Sequence, residues 1–74
     1  GHSLSFGRAD AAVILCRDAA LADAVATATA NRVQREKDLA EAVEFAMGID
    51  GILGAIAIMG DKMAAAGDVR LVAL

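Results

Sequence analysis

The chain holds one cysteine, one histidine, two phenylalanines and neither tryptophan nor tyrosine. Each shortage closes off a class of protein. A single cysteine excludes an internal disulfide and a cysteine-based zinc site. Basic residues are outnumbered, seven Lys and Arg against ten Asp and Glu, for a net charge of −3. Nucleic-acid binding rests on clustered positive charge, so this balance argues against it. No apolar run approaches the roughly 18 residues of a membrane span, and no signal peptide is visible, so a cytoplasmic location is the expectation. Gly1-His-Ser is not a natural start, and a preceding segment is therefore expected.

What remains is alanine and aliphatic side chains. Of 74 residues, 58% are hydrophobic and nineteen are Ala. Alanine buries little area but lets backbones approach closely. A chain of this size buries only about 60% of the surface exposed by its unfolded form, and small self-sufficient domains usually need disulfides, a metal or exceptional packing. The chain, residues 1–74, is one small domain or a piece of one, and the composition suits a segment buried inside a larger body, packed against the N-terminal portion of the same polypeptide, a second chain or a further copy in a homo-oligomer.

Along the chain, Leu4 and Phe6 alternate with Ser3 and Ser5, which predicts a strand within residues 2–7. Ala11-Ala-Val-Ile-Leu-Cys16 is a continuous apolar run, as expected of a strand covered on both faces. Asp18 suits the N-cap of a helix running to about Arg35. Asp38-Leu-Ala-Glu41 has the form of a capping box, with Asp in place of Ser or Thr. A second helix then runs to about Met47 with Leu39, Val43 and Ala46 or Met47 facing inward, and Gly48 ends it. Ile52–Met59 reads as a strand that is apolar on both faces. Gly60-Asp61 and Gly67-Asp68 have hairpin chemistry, so Ile52–Met59, Lys62–Ala66 and Val69–Leu74 form a three-stranded antiparallel meander. The order, two strands, two helices, then three strands, is an α+β fold.

Most side chains that carry chemistry have an ordinary reading. Cys16 closes an apolar strand and packs by default. Met47, Met59 and Met63 read as core filler, and the mixed run Arg32–Asp38 as a solvated turn. Thr29 and Asn31 suit local hydrogen bonding near a helix end, and Asp10 suits pairing with Arg8 or capping a turn. The exception is the pair Asp23 and Thr27. Four residues turn an α-helix through about 400°, so both side chains leave one face. A carboxylate and a hydroxyl side by side suit a hard cation such as Mg²⁺, which prefers oxygen and often bridges to phosphate. On spacing alone, a mid-helix Thr more often bonds back to the preceding turn. The opening Gly1-His-Ser3 is a weak candidate for a phosphate cradle of backbone amides, with His2 and Ser3 as its binding residues.

Asp10-Ala-Ala-Val-Ile-Leu-Cys-Arg-Asp18 leading into Ala22-Asp-Ala-Val-Ala-Thr27 resembles the C-terminal part of ApbE-type FAD:protein FMN transferases. There a strand feeds a helix with an Ala-Asp-Ala-x-Ala-Thr core, whose Asp and Thr coordinate Mg²⁺. The opening, Gly1 to Asp10, is closer to an uncharacterised ApbE-related family. The resemblance covers most of the chain, with a specific core of about six residues. It implies the C-terminal portion of an ApbE-like domain, with Asp23 and Thr27 as metal ligands, FAD as a cofactor and a further ligand from an upstream segment. The transferases carry a His-x-x-Asp-Pro-x-x-Gly type motif ahead of the strand, whereas Gly1-His-Ser-Leu-Ser-Phe-Gly7 lacks the Asp-Pro. Whether the chain belongs to an enzyme is therefore open. Three readings fit: a Mg²⁺-dependent flavin-nucleotide (FAD/FMN) binding or transfer protein, a non-catalytic ApbE-like scaffold or oligomerisation segment, and a binder of another phosphorylated small molecule.

Overall fold

The structure, a computed structural model, describes the backbone of residues 2–5 and all of residues 10–68. Its described elements are β1 (His2–Ser5), β2 (Ala11–Cys16), α1 (Ala19–Arg32), a short 3-10 turn (Glu36–Asp38), α2 (Leu39–Met47), β3 (Ile52–Met59) and β4 (Lys62–Gly67). The strands form one antiparallel sheet in the order β1-β2-β3-β4, and both helices lie between β2 and β3 in sequence. The α+β reading holds. The end of the first expected strand (Phe6 and Gly7) and the third strand of the meander (Val69–Leu74) lie outside the described residues.

Successive strand residues point to opposite faces, and the apolar runs of β2 and β3 therefore supply both sides of the sheet. One side, through Ala12, Ile14 and Cys16 of β2 and Ala55 and Ala57 of β3, joins the helix residues in a single core. From α1 come Ala22, Val25, Ala26 and Ala30, and from α2 Leu39, Ala42, Val43 and Ala46. Alanine lines α1 because the helix lies close over the strands. Ile14 is fully enclosed, so its truncation to Ala costs about 2–5 kcal/mol, depending on how far its neighbours relax. At Cys16 the β2–β3 register slips, Cys16 opposing Ile52 while Leu15 opposes Gly54. That extra residue keeps both Ile52 and Ala55 in the helix-side core.

Element ends show where local sequence and tertiary packing disagree. Asp18 caps α1 as expected, its Oδ1 accepting from the amides of Ala20 at 2.9 Å and Leu21 at 3.2 Å. The helix ends at Arg32, three residues short of the expected Arg35, because Val33 turns extended (φ −89, ψ 116) and is fully buried. The mixed-charge run is thus anchored by one apolar residue rather than wholly solvated. Asp38 makes no side-chain bond to α2. Its carboxylate instead accepts from the amides of Gln34 and Arg35, at 3.1 and 3.2 Å, so it closes the loop before α2 and the expected capping box does not form. Gly48 caps α2 as expected, at an ordinary φ of −74. Gly60 and Asp61 link β3 to β4, and the Asp10 carboxylate accepts from the Gly60 amide at 2.6 Å. Asp10 therefore caps a turn. Cys16 is core, and Met47 and Met59 pack against it. Met63 is not core filler: it is 57% exposed on β4, the last of the described strands.

Candidate functional site

The candidate site lies on the outward side of α1. The inward side is set by Ala22, Val25, Ala26 and Ala30, and the helical repeat then turns Ala20, Asp23, Ala24, Thr27 and Asn31 outward, where all five are exposed. Asp23 and Thr27 thus stand together on one accessible face, as the spacing requires. The Thr27 hydroxyl donates to the Asp23 carbonyl at 3.1 Å, the back-bond expected of a mid-helix Thr. This bond occupies the hydroxyl's one hydrogen, while the oxygen retains acceptor capacity. The two side chains offer oxygen donors only, which suits a hard cation.

Two donors are an incomplete shell. Among the described residues no group of three or more His, Cys, Asp or Glu is placed to hold a metal ion. His2 and Ser3 belong to β1, opposite Leu15 and Ile14 of β2, and their side chains lie outside the described residues. Asn31 is exposed, as a solvated helix end allows, but Thr29 is a correction. It is fully buried, and its hydroxyl has no hydrogen-bond partner. The helical repeat explains its burial: Thr29 is four residues beyond Val25 and three beyond Ala26, on the inward side. Its lack of a back-bond has no sequence signal.

A second feature joins the two helices. The Arg32 guanidinium lies 3.6 Å from the centre of the Phe45 ring, a cation–π contact of about 0.5–1 kcal/mol at an accessible site. It borders an open cavity of about 450 Å³ lined by Arg32, Asp38, Glu41, Ala42, Glu44 and Phe45. Three carboxylates against one guanidinium make this cavity unsuited to a phosphate group. Arg32 and Phe45 sit on different helices, so only the packing of α1 against α2 reveals the pair.

A family described as AbpE bacteria matches residues 1–70, nearly the whole sequence. The chain belongs to this family. The AbpE-family chain is also similar to archaeal UPF0280 proteins. It is 48% identical to that of Methanocella arvoryzae over 67 residues, covering 90% of this chain and 27% of the relative. Against that of Methanothrix thermoacetophila it is 45% identical over 69 residues, covering 93% and 29%. Against that of Archaeoglobus fulgidus it is 40% identical over 72 residues, covering 92% and 31%. The AbpE-family chain thus spans less than a third of the length of these relatives. No solved structure matches it.

Proposed function

We propose that the protein carrying this AbpE-family chain is an ApbE-like binder of a flavin nucleotide, FAD, held through Mg²⁺. Asp23 and Thr27 supply two of the metal's oxygen ligands. The observation that supports this reading is the exposed carboxylate–hydroxyl pair one turn apart on α1, with the hydroxyl's hydrogen held by the Asp23 carbonyl. The pair is half a site, and the remaining ligands come from the rest of the protein and from the nucleotide's phosphates. The same reading puts His2 and Ser3 at the phosphate end of the nucleotide.

Such a cation, when bound, neutralises charge on phosphate oxygens and so assists phosphoryl transfer. Asp23 contributes negative charge and Thr27 a neutral oxygen, and the helix beneath keeps the two in one orientation. The departure at Gly1–Gly7 favours a protein that binds the nucleotide without necessarily transferring FMN. Because the Thr27 hydroxyl already bonds to the backbone, a second reading also has support: α1 as a non-catalytic packing surface, its exposed Ala20 and Ala24 set against a partner.

Titration of the full-length natural protein with FAD, with and without Mg²⁺, separates the two. Asp23 is exposed, so Asp23→Ala leaves the core intact. On the metal reading, FAD binds only with Mg²⁺. Loss of a direct ligand then weakens it by at least about tenfold, since even outer-shell partners contribute 10–100-fold. No FAD binding under any condition, or binding indifferent to Asp23→Ala, would overturn the reading. AMP release from FAD then tests for transfer.

A further inference from the structure

The polar residues on the outward side of α1 fall in a row. Asp23, Thr27 and Asn31 follow one another at intervals of four, so each stands about 6 Å further along the axis and about 40° further round it. All three are exposed, with Ala20 and Ala24 beside them. Their hydrogen-bonding capacities differ. The Asp23 carboxylate only accepts. Thr27 gives its one hydrogen to the Asp23 carbonyl, which leaves its oxygen an acceptor. Asn31 offers two N–H donors and a carbonyl oxygen, and among the described residues its side chain makes no hydrogen bond. Arg32 is turned about 100° further round the helix and lies against the Phe45 ring of α2. Of the outward side chains of α1, Asn31 therefore carries the available N–H donors.

Asn31 stands too far along the helix to share a cation with Asp23. Eight residues span about 12 Å, and two short side chains joined through metal–oxygen bonds of about 2.1 Å do not bridge that gap. One turn beyond Thr27, Asn31 meets what such a cation carries rather than the cation itself. On the nucleotide reading, the cation carries phosphate oxygens, which accept hydrogen bonds. We infer that Asn31 is a further ligand-contact residue of this site, its carboxamide N–H donating to a diphosphate oxygen of the nucleotide that Asp23 and Thr27 hold through Mg²⁺. The inference rests on that reading and deepens it. It makes the diphosphate the group that α1 recognises, with oxygen donors for the metal at Asp23 and Thr27 and a hydrogen-bond donor for the phosphate at Asn31. A neutral amide suits this place, because a Lys or Arg one turn from the cation would repel it.

The test compares Asn31→Ala and Asn31→Asp with the wild type in the full-length natural protein, titrated with FAD and with ADP in the presence and absence of Mg²⁺. Asn31 is exposed and Ala is the better helix former, so Asn31→Ala leaves the fold intact and a change in affinity reports the contact. Asn31→Ala is expected to weaken FAD by at least about tenfold, the worth of a hydrogen bond to a charged group. ADP should lose the same factor, since the two ligands share the diphosphate, and the Mg²⁺ requirement should persist. Asn31→Asp should lose more than Asn31→Ala, because it sets a carboxylate against the phosphate. Unchanged FAD affinity in Asn31→Ala, a loss for FAD without one for ADP, or an Asn31→Asp variant that binds as the wild type does would overturn the assignment. Wild-type binding that needs Mg²⁺ and Asp23 but is indifferent to Asn31→Ala sinks this inference alone. A wild type that binds no FAD sinks the nucleotide reading and this inference with it.

Discussion

Replacing Thr29 by Val is expected to stabilise the protein. The Thr29 side chain is fully buried and its hydroxyl has no hydrogen-bond partner. By mutational measure, such a burial costs about 1–3 kcal/mol. Valine has nearly the same shape and replaces the hydroxyl with a methyl group. The two residues have similar helix propensities, so the backbone contributes little to the difference. The net gain expected is about 1–2 kcal/mol. For each kcal/mol this raises Tm by about 2–4 °C in a protein of 150–250 residues and by about 4–8 °C in one of 60–100. Urea unfolding of the full-length protein should show a higher midpoint with unchanged m, and hydrogen exchange should slow at the α1 amides around Ala26 and Ala30. Thr29→Ser makes the opposite change: it keeps the hydroxyl and removes the methyl, and should cost about 1 kcal/mol. A loss of 1 kcal/mol or more in Thr29→Val would refute the reasoning and show that the hydroxyl is bonded in the folded protein.

Asp18→Ala removes the acceptor for the Ala20 and Leu21 amides and should cost about 1 kcal/mol; Asp18→Asn should recover most of it, as read by hydrogen exchange in the first turn of α1. Gly67→Ala should be more damaging. Gly67 has φ +77, and a Cβ there collides with the Leu53 carbonyl oxygen and approaches the end of the Met47 side chain at 2.8 Å. A left-handed φ with a steric clash is expected to exceed about 1–2 kcal/mol, with loss of amide protection along β4 as the readout. Wild-type protection in Gly67→Ala would contradict the close approach of β4 to β3.

The candidate site was partly legible because its geometry is local. Asp23 and Thr27 share a face through the helical repeat alone, and Asp18 marks where that helix begins. The strands Ala11–Cys16 and Ile52–Met59 were legible for a similar reason: unbroken apolar runs bounded by Asp and Gly. What was not legible depended on competition between distant groups. Asp38 has the spacing of a cap, yet its carboxylate is taken by the amides of Gln34 and Arg35. Met63 looks like core by type, yet it stands opposite Ile58 on the side of the sheet away from the helix-side core and is 57% exposed. Thr29 looks like a locally bonded helix residue, yet close packing of α1 on the sheet encloses its hydroxyl unpartnered.

By itself the sequence determined the α+β class, the cap at Asp18, the Gly60-Asp61 turn and the common face of Asp23 and Thr27, since each follows from interactions within a few residues. Only the tertiary structure decided that Asp10 reaches across to cap the β3–β4 turn, that Arg32 stacks on Phe45, and that both helices share one core with the apolar strands β2 and β3. Those outcomes turn on which surfaces meet after residues far apart in the chain are brought together, and no local pattern encodes that choice.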